Sequence, residues 1–132
     1  MKLELGMSAS RTTEMTAARI EHFAEATGDY NSIHLDEAFA ATTRFGKRIA
    51  HGLLTAGLIS AVLANDLPGP GTIYMGQTLQ FKAPVYIGDV ITASVELIAY
   101  RETRRIATFK TLCVNQDGVT VLEGEATVLA PE

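Results

Sequence analysis

The chain has 132 residues, 47% of them apolar and 20% charged, which fits one globular domain with a hydrophobic core rather than a disordered segment. A formal net charge of -4 argues against a nucleic-acid partner, whose phosphates attract basic surfaces. The lone cysteine, Cys113, permits no intramolecular disulfide and fits a reducing compartment, so a cytoplasmic location is expected.

Taken in chain order, Met1 to Gly6 carries no apolar run behind a basic patch, so no secretory leader is expected. A short extended lead precedes a helix predicted from about Ala17 to Thr27. Thr16 is its N-cap, and Ile20, Phe23, Ala24 and Thr27 recur at helical spacing. Gly28 ends that helix by adopting a backbone conformation other residues avoid. A loop carrying Asp29, Asn31 and His34 follows, and then a short helical piece from about Asp36.

The stretch Ile49 to Ala64 is the most apolar in the chain. It is interrupted by His51, Thr55 and Ser60 and is too short to span a bilayer, so no membrane association is expected. Within it, Gly52 to Ala64 is apolar on nearly every side and poor in β-branched residues, which predicts a buried helix needing cover around most of its circumference. The cluster Leu67-Pro68-Gly69-Pro70-Gly71 breaks the helix, and period-2 alternation takes over.

Ile73, Met75, Leu79 and Phe81 fall on one strand face, with Tyr74, Thr78, Gln80 and Lys82 on the other. After a turn at Pro84 and Gly88-Asp89, the residues Ile91, Ala93, Val95 and Leu97 alternate with Thr92, Ser94 and Glu96. A strand from about Ile106 to Asn115 leads through the turn Gln116-Asp117-Gly118 into a last strand from about Val119 to Leu129. The expected architecture is a single α+β domain over residues 1–132, one buried helix wrapped by a mainly antiparallel sheet. Tyr86, Ile98, Leu112 and Val114 leave apolar groups on the outer face, so a homodimer that covers them is expected.

The chemistry concentrates in Gly28-Asp29-Tyr30-Asn31-Ser32-Ile33-His34-Leu35-Asp36. A carboxylate and an imidazole five residues apart in a loop can turn toward one pocket, with Asn31 fixing the loop through backbone hydrogen bonds. The plainer alternative makes Asp29 a turn residue and His34 a satisfied histidine at the core's edge. A second feature is His51-Gly52 at the start of the buried helix. First-turn N–H groups have no intrahelical partner, and a glycine lets a carbonyl oxygen approach one closely. His51 reads as a helix cap or a supporting contact rather than a proton-transfer group. His22 has no partner at metal-motif spacing, and Gly69-Pro70-Gly71 is a turn rather than a phosphate cradle, so neither metal nor nucleotide cofactor is expected. The cluster Arg101 to Arg105 reads as a solvated hairpin end and Cys113 as structural.

The run Thr27 to Asp36 resembles the hydratase motif of the MaoC-like hot-dog proteins. The likeness continues through Phe45-Gly46-Lys47-Arg48-Ile49-Ala50-His51-Gly52-Leu53-Leu54 and from Ile73 to Asp89, so it covers nearly the whole chain. The short, single-domain (R)-specific enoyl-CoA hydratases resemble it most. That resemblance implies a hot-dog fold, a homodimer, and hydration of a (2E)-enoyl-CoA to the (3R)-3-hydroxyacyl-CoA with no cofactor. It also implies Asp29 and His34 as the acid–base pair, the Gly52 amide as oxyanion donor and Asn31 as the loop asparagine. Ser32 departs from the motif, which commonly has proline there.

The acyl-CoA thioester is thus the expected substrate. Three alternatives stay open: a 3-hydroxyacyl-[acyl-carrier-protein] dehydratase, a hot-dog thioesterase and a non-catalytic acyl-binding dimer. The pocket walls are expected from the buried helix and residues 68–74, and short or medium acyl chains are expected to fit.

Overall fold

The computed structural model describes residues 2–132. Among these residues six strands form one antiparallel sheet around a long helix. In chain order the elements are β1 (Ser8–Glu14), α1 (Ala17–Thr27), α2 (Ser32–Leu35), α3 (Glu37–Ala41), α4 (Gly52–Asn65), β2 (Ile73–Gln77), β3 (Gln80–Phe81), β4 (Val90–Arg101), β5 (Ile106–Val114) and β6 (Thr120–Leu129). The sheet order is β1-β4-β5-β6-β2, with β3 also paired to β6. This is the α+β, hot-dog arrangement expected of the chain.

Local chemistry explains most boundaries. Thr16 Oγ1 accepts from Arg19 N–H at 3.2 Å and starts α1, while Gly28, at φ +80°, closes it by donating its N–H to the Ala24 carbonyl. Ile20 and Ala24 face the core, but Thr27 does not. Its hydroxyl donates to the Phe23 carbonyl and accepts from Asp29 N–H, tying the helix end to the loop beyond. The expected plain loop before Asp36 is in part a helical turn. Asn31 Oδ1 accepts from Ile33 N–H and caps α2, and Asp36 Oδ1 accepts from Phe39 N–H and caps α3.

The core lies between α4 and the sheet. Ile91, Ala93, Val95 and Leu97 of β4 are all buried, as their alternation predicts, and they join Phe109, Val121, Leu122, Val128, Ile59, Val62 and Leu63. Burying a side chain of this size contributes roughly 1.5–3 kcal/mol relative to leaving it exposed. Cys113 also lies in this core, where burial pushes its thiol up to about 12, so it is an inert packing residue.

Two expectations need correction. The alternating segment after α4 is not one strand, because it breaks between β2 and β3 and shifts register at Tyr74 and Gly76. Thr78 N–H donates to the Glu125 carbonyl, and Gln77 Nε2 reaches both the Thr78 carbonyl and Thr111 Oγ1. At this crossing Gly124 has no room for a side chain. A Cβ there would stand 1.8 Å from the Thr78 carbonyl oxygen, a backbone atom that cannot swing aside. Gly124→Ala is therefore expected to destabilise the fold by about 1–3 kcal/mol, the range for forced overpacking. Urea unfolding would read it, and an unchanged midpoint would refute the crowding argument.

The second correction concerns the outer apolar surface. Tyr86 stands outside the strands in a single bridge with Ile49, and Leu112 and Val114 are half-buried, leaving Ile98 exposed among the four expected residues. Leu5 is the most exposed large apolar group, and Tyr30, Leu53 on α4, and Ile73, Met75 and Phe81 along β2 and β3 are also more than half exposed.

Candidate active site

The turn from α1 into α2 brings Asp29 and His34 to one cavity of about 440 Å³, and the first turn of α4 supplies Gly52 to the same cavity. The Asp29 carboxylate is exposed, and its Oδ1 accepts from Asn31 N–H at 3.4 Å. His34 sits deeper. Its Nδ1 lies 2.7 Å from the Ile49 carbonyl, a contact that requires Nδ1 to carry the proton, and so Nε2 is left as the free ring nitrogen. Arg48 Nε holds the same turn from behind by donating to the His34 carbonyl at 2.6 Å, and its guanidinium lies 3.9 Å from Glu37.

Burial is the main cause that lowers the His34 pKa below the usual histidine range. The Ile49 hydrogen bond opposes it, His51 adds to the lowering, and Asp29 opposes it weakly. A histidine that binds its proton less readily in the folded state than in the unfolded chain costs stability once the unfolded chain takes one up. Stability should therefore be full above the unfolded value of about 6.5 and fall as pH drops from there through the lower folded value. Urea midpoints at pH 8, 6 and 5 should decline less steeply in His34→Gln than in the parent. Equal slopes would show that His34 is not the responsible group.

His51 occupies the N-cap position of α4, but its side chain makes no capping bond. Instead its Nε2 lies 3.0 Å from the Asp29 main-chain carbonyl, and its ring stacks on His34 with centroids 3.9 Å apart. The expected supporting contact is present, and the expected side-chain cap is not. Gly52 N–H follows directly. It is the first amide of the helix, has no acceptor within it, and pairs with no other group among the described residues. That leaves a donor free for a carbonyl oxygen.

The remaining wall differs from expectation. It comes from Phe81, Lys82, Ala83, Pro84 and Val85, with Val121 and Leu122 behind them, and not from residues 68–74. Thr55, one turn beyond His51 on α4, and Arg44 also line it. The signal for the Phe81–Val85 wall was the turn at Pro84, which carries the chain back past the helix start; nothing local marked Thr55 or Arg44. Donor atoms of Asp29, His34 and His51 all lie within 4.8 Å of one another, near enough to gather around a cation. Yet His34 Nδ1 and His51 Nε2 already face backbone carbonyls, so each ring has a single nitrogen left to offer.

A fold of one helix in an antiparallel sheet, with a carboxylate, an imidazole and a helix-start amide on one apolar cavity, defines a thioester-handling hot-dog protein. The MaoC like domain model matches residues 3–117, and this chain belongs to that family. It is 52% identical to the 3-hydroxybutyryl-CoA dehydratase of Methylorubrum extorquens over 98% of this chain and 82% of that one. It is 47% identical to the (R)-specific enoyl-CoA hydratase of Aeromonas caviae, covering 98% of this chain and 96% of the relative. The solved structure of an (R)-hydratase from A. caviae involved in PHA biosynthesis superposes with a TM-score of 0.95 at 47% identity, covering 98% of each chain.

Proposed function

We propose that this single domain, residues 1–132, is an (R)-specific enoyl-CoA hydratase that adds water across the double bond of a (2E)-enoyl-CoA. The observation that carries the reading is the convergence of Asp29, His34 and the unpartnered Gly52 amide on one cavity. A water between the two side chains gives one proton to the Asp29 carboxylate as its oxygen bonds to C3. The electron pair of the double bond moves toward the thioester carbonyl, whose oxygen is held by Gly52 N–H. His34 enters this step in its imidazolium form, which the Asp29 carboxylate favours against burial; with Nδ1–H held by the Ile49 carbonyl, it releases the Nε2 proton to C2 on the same face. The proton on Asp29 then returns to His34 through water, so the net change is one H and one OH added.

The names of the similar proteins agree with this substrate class, one being a CoA-thioester dehydratase and one a hydratase of enoyl-CoA. Purified protein mixed with crotonyl-CoA should bleach the conjugated enoyl-thioester absorbance without releasing free thiol. Thiol release without hydration would replace this reading with a thioesterase, and strong preference for the acyl-carrier-protein thioester would replace the CoA carrier. Short and medium acyl chains are the proposed substrates, as the resemblance to the short single-domain hydratases implies. Better turnover of a long-chain enoyl-CoA in the same assay would reverse that preference.

The working unit we propose is a homodimer in the cytoplasm. Ile73 and Met75 of β2 are each more than half exposed, and β2 stands at the end of the sheet order. Light scattering should report about twice the 14.2 kDa chain mass. A fully active monomer would refute the dimer. No helix among the described residues is long and apolar enough to cross a membrane.

A further inference from the structure

His51 carries more of the site than its place outside the proton path implies. Its ring is clamped between two others, with Phe23 of α1 at 4.7 Å and His34 of α2 at 3.9 Å between centroids. Only 2% of the residue is exposed, so its three contacts are made inside the protein and not through solvent. The Asp29 carbonyl at 3.0 Å can only accept, so Nε2 carries the proton and Nδ1 is a bare acceptor, buried and without a partner. The next residue in the chain is Gly52, whose amide opens α4.

One side chain therefore touches the loop that bears Asp29 and the ring of His34, and its own backbone adjoins the oxyanion amide. The Asp29 main chain is held by its N–H to Thr27 Oγ1, but its carboxylate is exposed and the side-chain contact with Asn31 N–H is long, at 3.4 Å. The main-chain tie to His51 joins the Asp29 loop to the start of α4, while the Ile33–Ile49 and His34–Ile49 contacts hold α2 to the segment before that helix. A loop free to drift by an ångström there would misplace the carboxylate relative to the amide that receives the carbonyl oxygen.

We propose that His51 is a positioning residue that sets the distance between Asp29, His34 and the Gly52 amide, by donating Nε2–H to the Asp29 carbonyl and backing the His34 ring. This rests on the hydratase reading above. It predicts that the hydrogen-bond donor and the ring do separable work. His51→Phe keeps an aromatic ring between Phe23 and His34 but loses the donor. His51→Gln keeps an N–H that can reach the Asp29 carbonyl but loses the stacked ring. Among the charged groups nearby, Asp29 from the α1–α2 turn, Arg44 after α3 and Lys82 after β3 line the same cavity, and Arg48 donates to the His34 carbonyl. Neither variant alters any of them.

With crotonyl-CoA, His51→Phe should lose about tenfold to a hundredfold in kcat with KM within about twofold, the signature of misplaced reacting groups rather than lost binding. His51→Gln should recover a large part of that kcat. The difference between the two variants is the readout that a merely structural role would not produce, since only His51→Gln keeps a donor for the Asp29 carbonyl. A purely structural role would lower the melting temperature of both variants and leave the kcat of the folded proteins at the parental value. Parental kcat in folded His51→Phe would overturn the proposal, as would a loss confined to KM. Should His51→Phe fail to fold, His51→Leu, which also lacks the donor, takes its place beside His51→Gln, and equal kcat in the two would overturn the proposal. Asp29→Asn and His34→Gln are assayed alongside. Parental rates in those two would refute the hydratase site itself, whereas their inactivity with a fully active His51→Phe would refute this inference alone.

Discussion

Asp29→Asn and His34→Gln should each lower hydration of crotonyl-CoA by about a hundredfold or more, the usual contribution of a positioned acid or base. Both substitutions keep the local hydrogen bonds that hold the fold. Asparagine retains an oxygen for Asn31 N–H, and glutamine retains an N–H donor for the Ile49 carbonyl. What is lost is the ability to take up or release a proton. Because a single water and a single C2 protonation share one site, each group is of little use without the other. The double variant should therefore cost far less than the product of the two losses. Steady-state rates for the four proteins, with circular dichroism as a folding control, measure this directly. Near-parental hydration by either folded single variant would remove that residue from the proton path, and multiplicative losses would separate the two roles.

Both residues were legible because their signals are local. Gly28 ends α1 in a left-handed turn, Asn31 and Asp36 cap the short helices, and those three constraints fix the path between Asp29 and His34. The buried face of β4 was legible for a similar reason, since its alternation needs no knowledge of the partner strand. β1 was not. Its sequence, SASRTTE, is mostly exposed, and it is a strand because its backbone pairs with β4 from Ser8 to Glu14 rather than because its side chains alternate. The break between β2 and β3 depends on Thr78 crossing Gly124, residues 46 positions apart, so period-2 counting ran straight through it. The tie from His51 to Asp29 and the stack on His34 likewise join separate segments through space. A sequence can show that His51 begins a helix, but not which carbonyl its ring will meet.

Gly52→Ala isolates the remaining chemical group. Gly52 is the first residue of α4, where alanine suits the helix better than glycine by up to about 1 kcal/mol, so folding should not suffer. The obstacle is the space in front of it. A Cβ at Gly52 would stand 2.5 Å from Phe81 Cε1 and 2.9 Å from Cδ1 and Cζ, inside contact distance. Phe81 is more than half exposed, so its ring can yield, and the clash is relieved by moving it within the cavity mouth. The new methyl cannot be relieved in the same way. On a helix the Cα–Cβ bond tilts toward the N-terminus, which places the methyl on the side where Gly52 N–H awaits the carbonyl oxygen. The thioester is held away from the amide, and stabilisation of the developing oxyanion weakens. Hydration should fall by about tenfold or more, mainly in kcat, with the melting temperature kept or raised. Adding Phe81→Ala to Gly52→Ala separates the two obstacles. If the ring were the whole problem, its removal would restore the rate; with the methyl beside the amide, the loss persists. A folded Gly52→Ala protein that hydrates crotonyl-CoA at the parental rate would show that the thioester oxygen is stabilised elsewhere.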